Sequence, residues 1–297
     1  MTELDWRLRA LRGFLRRVPR GRYRLLEMLA PSRGRVIARL ADDLGAARFD
    51  ADLGDALSRE VCFTGMYEPP VARVFQRHVP RDGIVVDAGA NWGYFSLIAA
   101  AACGPGGSVI ALEPDPRHAE ALTRNLALNA FTQVRPMQAA AAGAAGTITL
   151  DGYGDGEANR GVSRIAAPRA APMPGRRFDV PAITIDAITA ASPRVDVVKI
   201  DVEGAEDLVL QGMQDGLATK RYRAILLELH PPLLRERGID PEACIRRLLE
   251  AGYRGRTIDA SPDAYRAAID PAVPVERLLL PLEAWERSPW PHLLWLC

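Results

Sequence analysis

The stretch "IVVDAGANWGYFSLIAAAAC" (residues 84–103) decides the fold. An apolar, partly β-branched run ends at Asp87. Glycines follow at positions 89 and 93, and a second apolar run starts at Tyr94. The first run has strand length and the second has helix length. Glycines between them let the backbone pass close to a ligand with no Cβ in the way. The free N–H groups of the following helix favour a polar or anionic group. In an open parallel sheet this edge is where ligands bind.

Working outward, "SVIALEPD" (108–115) reads as a second strand and "PRHAEALTRNLALN" (116–129) as a helix with Pro in its first turn. "QVRPMQAAAA" (133–142) reads as a third strand. Later come the strands "DVVKID" (196–201), "RAILLEL" (223–229), "RGRTID" (254–259) and the terminal "WPHLLWLC" (290–297). The helices "AEDLVLQGM" (205–213) and "PEACIRRLLEAGY" (241–253) fall among them. Strands alternating with helices predict an α/β fold, a parallel sheet with helices on both faces. "GTITLDGY" (146–153) and "FDVPAITID" (178–186) read as extended. Between them, residues 153–177 lack periodicity and are either disordered or a functional loop. Asn159, Arg160, Ser163 and Arg164 in that loop would hang over the ligand edge as a candidate acceptor lid.

The 297 residues are 48% hydrophobic and 25% charged, ordinary for a globular protein. A net charge of +1 gives no global argument for nucleic acid. Cys62, Cys103, Cys244 and Cys297 are far apart, with no C-x-x-C, so a reducing compartment fits. The N-terminus lacks the apolar region of a signal peptide, and the longest apolar stretch is too short to span a bilayer. The expected location is cytoplasmic. Leu4, Leu8, Leu11 and Leu15 recur at helical spacing among arginines, which predicts a basic amphipathic helix. It either touches a membrane surface or a partner, or packs on its own domain with a solvated basic face. Residues 41–82 read as a helical lead-in, with "CFTGMYEPP" as a turn inside it. The expected organisation is a helical extension over 1–80 and a ligand-binding domain over 81–297.

The glycine loop is not G-x-G-x-x-G, because Ala90 stands where a dinucleotide fingerprint has its second glycine. A ligand without a diphosphate tolerates Ala90. Asp87 can hold an ammonium group or order the turn. Glu113, at the end of the second strand, can accept hydrogen bonds from both hydroxyls of a ribose. Asp115 before Pro116 is an N-cap candidate, which leaves Glu113 for a ligand.

"KIDVEGAE" (199–206) ends a buried strand in three carboxylates. Residues two apart in a strand point to one side, so Asp201 and Glu203 should project together. Gly204 lets the chain turn into the next helix, where Glu206 and Asp207 favour the positive helix end. Neighbouring carboxylates repel unless a cation, a donor or a shared proton is present. Asp201 and Glu203 are therefore base candidates, as is His230, whose pKa range suits the task. His230 can equally be a hydrogen-bonded turn residue before Pro231. Glu228 could orient its imidazole, or join Asp201 in holding a divalent metal, a reading the spacing does not demand. Lys199 is either an ion-pair partner of Asp201 or a solvated strand-end lysine. His78, His118 and His292 have no supporting context in the sequence.

"VVDAGANWGYFS", "ALEPDP", "NLALN" and "VVKIDVEGAE", with "FTGMYEPP" upstream and "LLELHP" downstream, resemble the FkbM-type S-adenosylmethionine-dependent methyltransferases. The likeness covers roughly residues 60–232, and "DVEGAE" is its most specific piece. It implies a class I methyltransferase (Rossmann-like) fold, a seven-stranded, mostly parallel sheet whose last strand is antiparallel. It also implies S-adenosyl-L-methionine as cofactor and a hydroxyl acceptor on a sugar, glycan or secondary metabolite. Carried over, Asp87, Gly89, Asn91 and Gly93 would surround the methionine part and Glu113 would hold the ribose. Asp115 could assist at the adenosine, Ala139 and Ala140 would lie by the adenine, and Tyr67 and Glu68 could close over the cofactor. Competing readings are an NAD-dependent oxidoreductase, against which Ala90 counts, and a non-catalytic nucleoside-binding module. A nucleic-acid methyltransferase would need an aromatic pocket for a flipped base, and no N-P-P-Y-like segment occurs.

Overall fold

The computed structural model describes residues 2–3, 6–18, 22–153, 163–165 and 175–297. Seven strands build the central sheet: β1 (Ile84–Ala88), β2 (Ser108–Leu112), β3 (Val134–Met137), β4 (Val195–Ile200), β5 (Tyr222–Glu228), β6 (Arg254–Ile258) and β7 (His292–Leu296). Their spatial order is β3-β2-β1-β4-β5-β7-β6, and the pair Leu279–Leu280 adds an eighth, two-residue strand beside β6. All seven run parallel except β7, which is antiparallel to both β5 and β6. The chain order reverses direction across the sheet between β1 and β4. That crevice is where such a sheet binds ligands.

β4 is buried at all six positions, as a strand covered by helices on both faces must be. The helices α1 (Trp6–Arg17), α2 (Arg22–Leu29), α3 (Ala56–Thr64), α4 (Pro69–His78), α5 (Tyr94–Cys103) and α6 (Pro116–Asn129) precede or interleave with the first strands. Phe75 of α4 meets Phe95 of α5 edge to face, with ring centroids 5.3 Å apart. Asp115 caps α6 by accepting from the Arg117 N–H at 2.8 Å.

The first 80 residues are not purely helical. Arg35–Arg39 and Arg48–Asp52 form an antiparallel pair, joined through Gly45 in the left-handed region at φ 92°. Phe49 and Ala51 are fully buried there. Each strand has only five residues, too few for alternation to stand out against the helical periodicity on either side.

The stretch 133–142 also divides. β3 ends at Met137, while Ala140–Ala141 pairs with Ala182–Ile183 in a separate four-stranded sheet. β3 is the edge strand, so Pro136 costs no ladder bond on its open side. The second sheet is a long hairpin of Gly146–Tyr153 against Gly175–Ile183, with Arg164–Ile165 paired to Leu150 and Asp151. Part of the segment read as irregular is therefore strand. Asn159 and Arg160 lie outside the described residues.

Candidate active site

The β1–α5 turn is tightly built. Gly89 has φ 85°, and a Cβ there would collide with the carbonyl oxygen of Asp201, so only glycine lets this loop sit against the end of β4. Gly93, at φ 88°, packs on Leu122. Asn91 is left-handed at φ 51°, with its Oδ1 accepting from the Trp92 N–H at 2.8 Å. Glu113 ties this loop to the β2 end. Its Oε2 accepts the Asn91 N–H at 2.7 Å and its Oε1 accepts the Asp115 N–H at 2.8 Å. Each oxygen retains a second lone pair, so a fixed, 5% exposed carboxylate faces the crevice.

A cavity of about 350 Å³ opens over this edge. Of the candidates named from sequence, Tyr67, Glu68, Gly89, Asn91, Glu113, Ala140, Asp201, Glu203 and His230 line it. Asp87, Gly93, Asp115 and Ala139 lie behind the wall. Asp87 is fully buried beneath the loop, where its Oδ2 accepts from the Ser96 hydroxyl at 2.6 Å and its Oδ1 has no hydrogen-bond partner. Burial raises its pKa against the opposing pull of Lys199. Asp115 is engaged by its helix cap, by the Ser163 hydroxyl at 3.1 Å and by Arg176 at 3.3 Å. Ser163 and Ile165 do reach the cavity, alongside Ile148 and Leu150 of the hairpin.

On the other side, β4 ends at Ile200, so Asp201 and Glu203 are not related by strand alternation. Glu203 and Gly204 are consecutive left-handed residues, at φ 51° and 89°. The turn, rather than the pleat, brings Glu203 into the cavity. Glu68 and Asn91 share this strained conformation, which costs on the order of 1–3 kcal/mol per residue. All three non-glycine residues line the cavity.

Lys199 is 3% exposed and pairs with Asp201 at 2.8 Å, with its ammonium 4.4 Å from the Phe95 ring centroid. It is the register partner of Asp87 across β1–β4. Burial disfavours its charge, but Asp201, Asp87 and Glu228 outweigh this and raise its pKa. Burial likewise opposes the Asp201 carboxylate. Lys199 overcomes it, helped by His230, and holds Asp201 below its ordinary value.

His230 joins the remaining carboxylates. Its Nδ1 is 2.8 Å from Glu206 Oε1, and its Nε2 lies 3.3 Å from Glu203 and 3.5 Å from Glu228. Glu206 does not serve the helix end alone, as the sequence reading had it. It is fully buried, and its Oε1 also accepts the Gly204 N–H at 2.8 Å. Glu206 thus occupies the Nδ1 side of the imidazole and leaves Nε2 facing Glu203, Glu228 and the cavity. Burial lowers the His230 pKa, but Glu206, then Glu228 and Glu203, lift it to about 9. Burial and the Asp201 charge push Glu203 up to about 8.

His292 was missed in sequence. It stands opposite Glu228 in the β5–β7 register, 3.1 Å from Glu228 and 3.3 Å from Glu68. An antiparallel last strand beside "LLELH" was the available signal, but its register was not legible. His118 was also passed over. It lies 3.7 Å from Glu113 and against Trp92. Among the described residues, Asp201/Glu203/His230 and Glu68/Glu228/His292 each bring three ligand-type atoms within 4.8 Å, which makes a divalent ion the competing occupant.

The strand order and the single reversed strand are those of the class I methyltransferase fold. Comparison with known proteins narrows this: the FkbM methyltransferase domain matches residues 87–254, and the chain belongs to that family. The NAD oxidoreductase reading is thereby set aside. The chain is 31% identical to methyltransferase sdnD of Sordaria araneosa over 58% of this chain and 74% of that protein. It is 27% identical to the hexuronic acid methyltransferase AglP of Haloferax volcanii, over 69% of this chain and 77% of that protein. An FkbM methyltransferase structure from Methylobacillus flagellatus superposes with a TM-score of 0.44 at 13% identity. It covers 93% of this chain, which spans 58% of that structure.

Proposed function

We propose that the chain transfers a methyl group from S-adenosylmethionine to a hydroxyl oxygen of a sugar, glycan or other small-molecule acceptor. The observation that carries this reading is the Glu206–His230–Glu203 array at the cavity wall, a proton-accepting group held by a buried carboxylate. A hydroxyl must lose its proton as its oxygen is methylated, whereas a carboxylate acceptor needs no base.

The residues suit the cofactor. Glu113 is fixed to receive the ribose hydroxyls. Ala140, Ala141, Pro114, Ile148 and Leu150 offer an apolar wall for the adenine. Gly89 and Asn91 form the loop for the methionine part, with the unpartnered Asp87 Oδ1 beneath it. Tyr67, held by its N–H to the Tyr94 hydroxyl at 3.0 Å, and Glu68 cover the opening. Glu60, Glu68, Glu113 and Glu228 line the wall beside the Lys199–Asp201 pair, an acidic surround that suits a cationic ligand.

When bound, S-adenosylmethionine supplies the electrophilic methyl on a sulfonium. The chain aligns the acceptor, worth roughly 7–11 kcal/mol where the effective molarity is high. As the new O–C bond forms, the hydroxyl proton passes to the His230–Glu203 pair, a contribution of about 10²–10⁴-fold. Glu206 keeps Nε2 aimed at the cavity. Asp201, locked to Lys199, contributes charge rather than proton uptake.

The similarity to the hexuronic acid methyltransferase AglP favours a second reading, methylation of a uronic acid at its carboxylate. A screen of neutral sugars and uronates with methyl-labelled donor tests both. Label in an alkali-stable ether supports the hydroxyl reading, and alkali-labile label supports ester formation. Donor binding with no transfer to any acceptor would favour the non-catalytic module. Activity abolished by EDTA and restored by Mg²⁺ would assign the carboxylates to a metal.

A further inference from the structure

We infer that α1 is a docking element that seats this enzyme on an anionic membrane surface. One side of the helix is committed to the fold. Leu15 is fully buried, and Leu8 and Leu11 pack against the same core. At about 100° per residue these three fall on one narrow stripe. Trp6 and Ala10 fall on the opposite side, and Phe14 lies at its edge, about 60° from Leu11. Trp6 is 74% and Phe14 51% exposed, and the exposed Arg7 and Arg9 flank them. The Arg7 guanidinium sits 5.4 Å from the Trp6 ring centroid.

A helix that only packs on its own domain presents polar residues outward. Large aromatics outward, with arginines beside them, are the composition of a helix lying in a bilayer interface. The next helix, α2, packs on α1 and leaves Met28 73% and Leu29 49% exposed. Charge complementarity selects the occupant. Residues 1–40 carry eleven arginines against three acids, a net +8. The whole chain is +1, so the remaining residues carry −7. An anionic surface therefore attracts this segment and repels the rest, which orients the molecule. α1 packs on α3, whose Ala56, Leu57 and Glu60 line the active cavity. Docking through α1 sets that wall one helix layer behind the bilayer. No helix among the described residues is long and apolar enough to cross a membrane, so the contact is peripheral.

The test is co-sedimentation of the full chain with mixed phosphatidylglycerol–phosphatidylcholine vesicles and with phosphatidylcholine alone. The expected result is binding to the anionic vesicles only, weakened by salt. Trp6→Ser with Phe14→Ser should lower it at least about tenfold, and so should Arg7→Glu with Arg9→Glu, the latter also flattening the salt dependence. S-adenosylmethionine affinity should stay unchanged in both variants, which separates lost docking from lost folding. The inference is overturned by no binding to anionic vesicles, or by equal binding to both vesicle types that ignores the substitutions. It is also overturned if Trp6→Ser with Phe14→Ser abolishes a dimer in sedimentation equilibrium while vesicles bind nothing, or if the arginines serve DNA binding instead.

Discussion

The two halves of the cavity are built by different means. On the β1–β2 side, one carboxylate is fastened by backbone N–H groups, from Asn91 and from Asp115, its neighbour two residues on. On the β4–β5–β7 side, side chains hold one another. His230 is gripped by Glu206 and faces Glu203 and Glu228, and Glu228 faces His292, which faces Glu68. Backbone donors fix a carboxylate rigidly in place. On the other side a mesh of titratable side chains is held together through strained turns at Glu68 and Glu203, the arrangement that the proposed proton transfer uses.

The sharpest way to break this contrast is at the proton site. His230→Ala should lower turnover by about 10²–10⁴-fold while donor affinity, measured by calorimetry, stays within about twofold. An equal loss of donor binding would mean the halves are not separable. Gly89→Ala attacks the seam itself. The added Cβ meets Asp201 and the left-handed φ becomes unfavourable, so donor affinity should fall by about 10²-fold. On the cofactor side alone, Glu113→Ala should weaken donor binding at least about tenfold, and unchanged affinity would remove the ribose assignment.

Smaller effects sharpen the comparison. The base form accumulates as pH rises, so the rate should climb between about pH 8 and 9, with apparent values belonging to the Glu203–His230 pair. Glu206→Gln removes a negative charge that favours the imidazolium, so this limb should move to lower pH. A pH profile that stays put would deny Glu206 its hold on His230. Stability follows the same groups. His230 is raised from 6.5 to about 9 on folding, so its contribution is complete below pH 6.5 and lost as pH rises to 9. Glu203, raised from 4.5 to about 8, also favours the folded state when protonated and loses that contribution over 4.5 to 8. The melting temperature should therefore fall from pH 6.5 to 9, and less so in Glu203→Gln.

Much of the fold was legible. Each βα unit of the central sheet announces itself within about 30 residues, by an apolar run, a turn and a helix. That Gly89, Asn91 and Glu113 reach the cavity was legible for the same reason, since local backbone geometry at the strand ends places them. The resemblance implied cofactor contacts for Asp87 and Asp115, yet both lie behind the wall: Asp115 is the helix cap that its place before Pro116 suggested, and Asp87 is engaged by Ser96 beneath the turn. The short strands at 35–39 and 48–52 escaped because five residues carry little periodic signal.

The sequence by itself determined the alternating α/β order, the glycine turn and the presence of Asp201, Glu203 and His230 near one sheet edge. Tertiary structure alone decided the contacts on the β4–β5–β7 side. The β5–β7 register brings His292 to Glu228, 64 positions apart in the chain, and the left-handed turn at 203–204 swings Glu203 toward His230. Burial and the Asp201 charge raise Glu203, while Lys199 holds Asp201 down against burial. Such properties depend on distance and desolvation between residues far apart in sequence, and no local pattern encodes either.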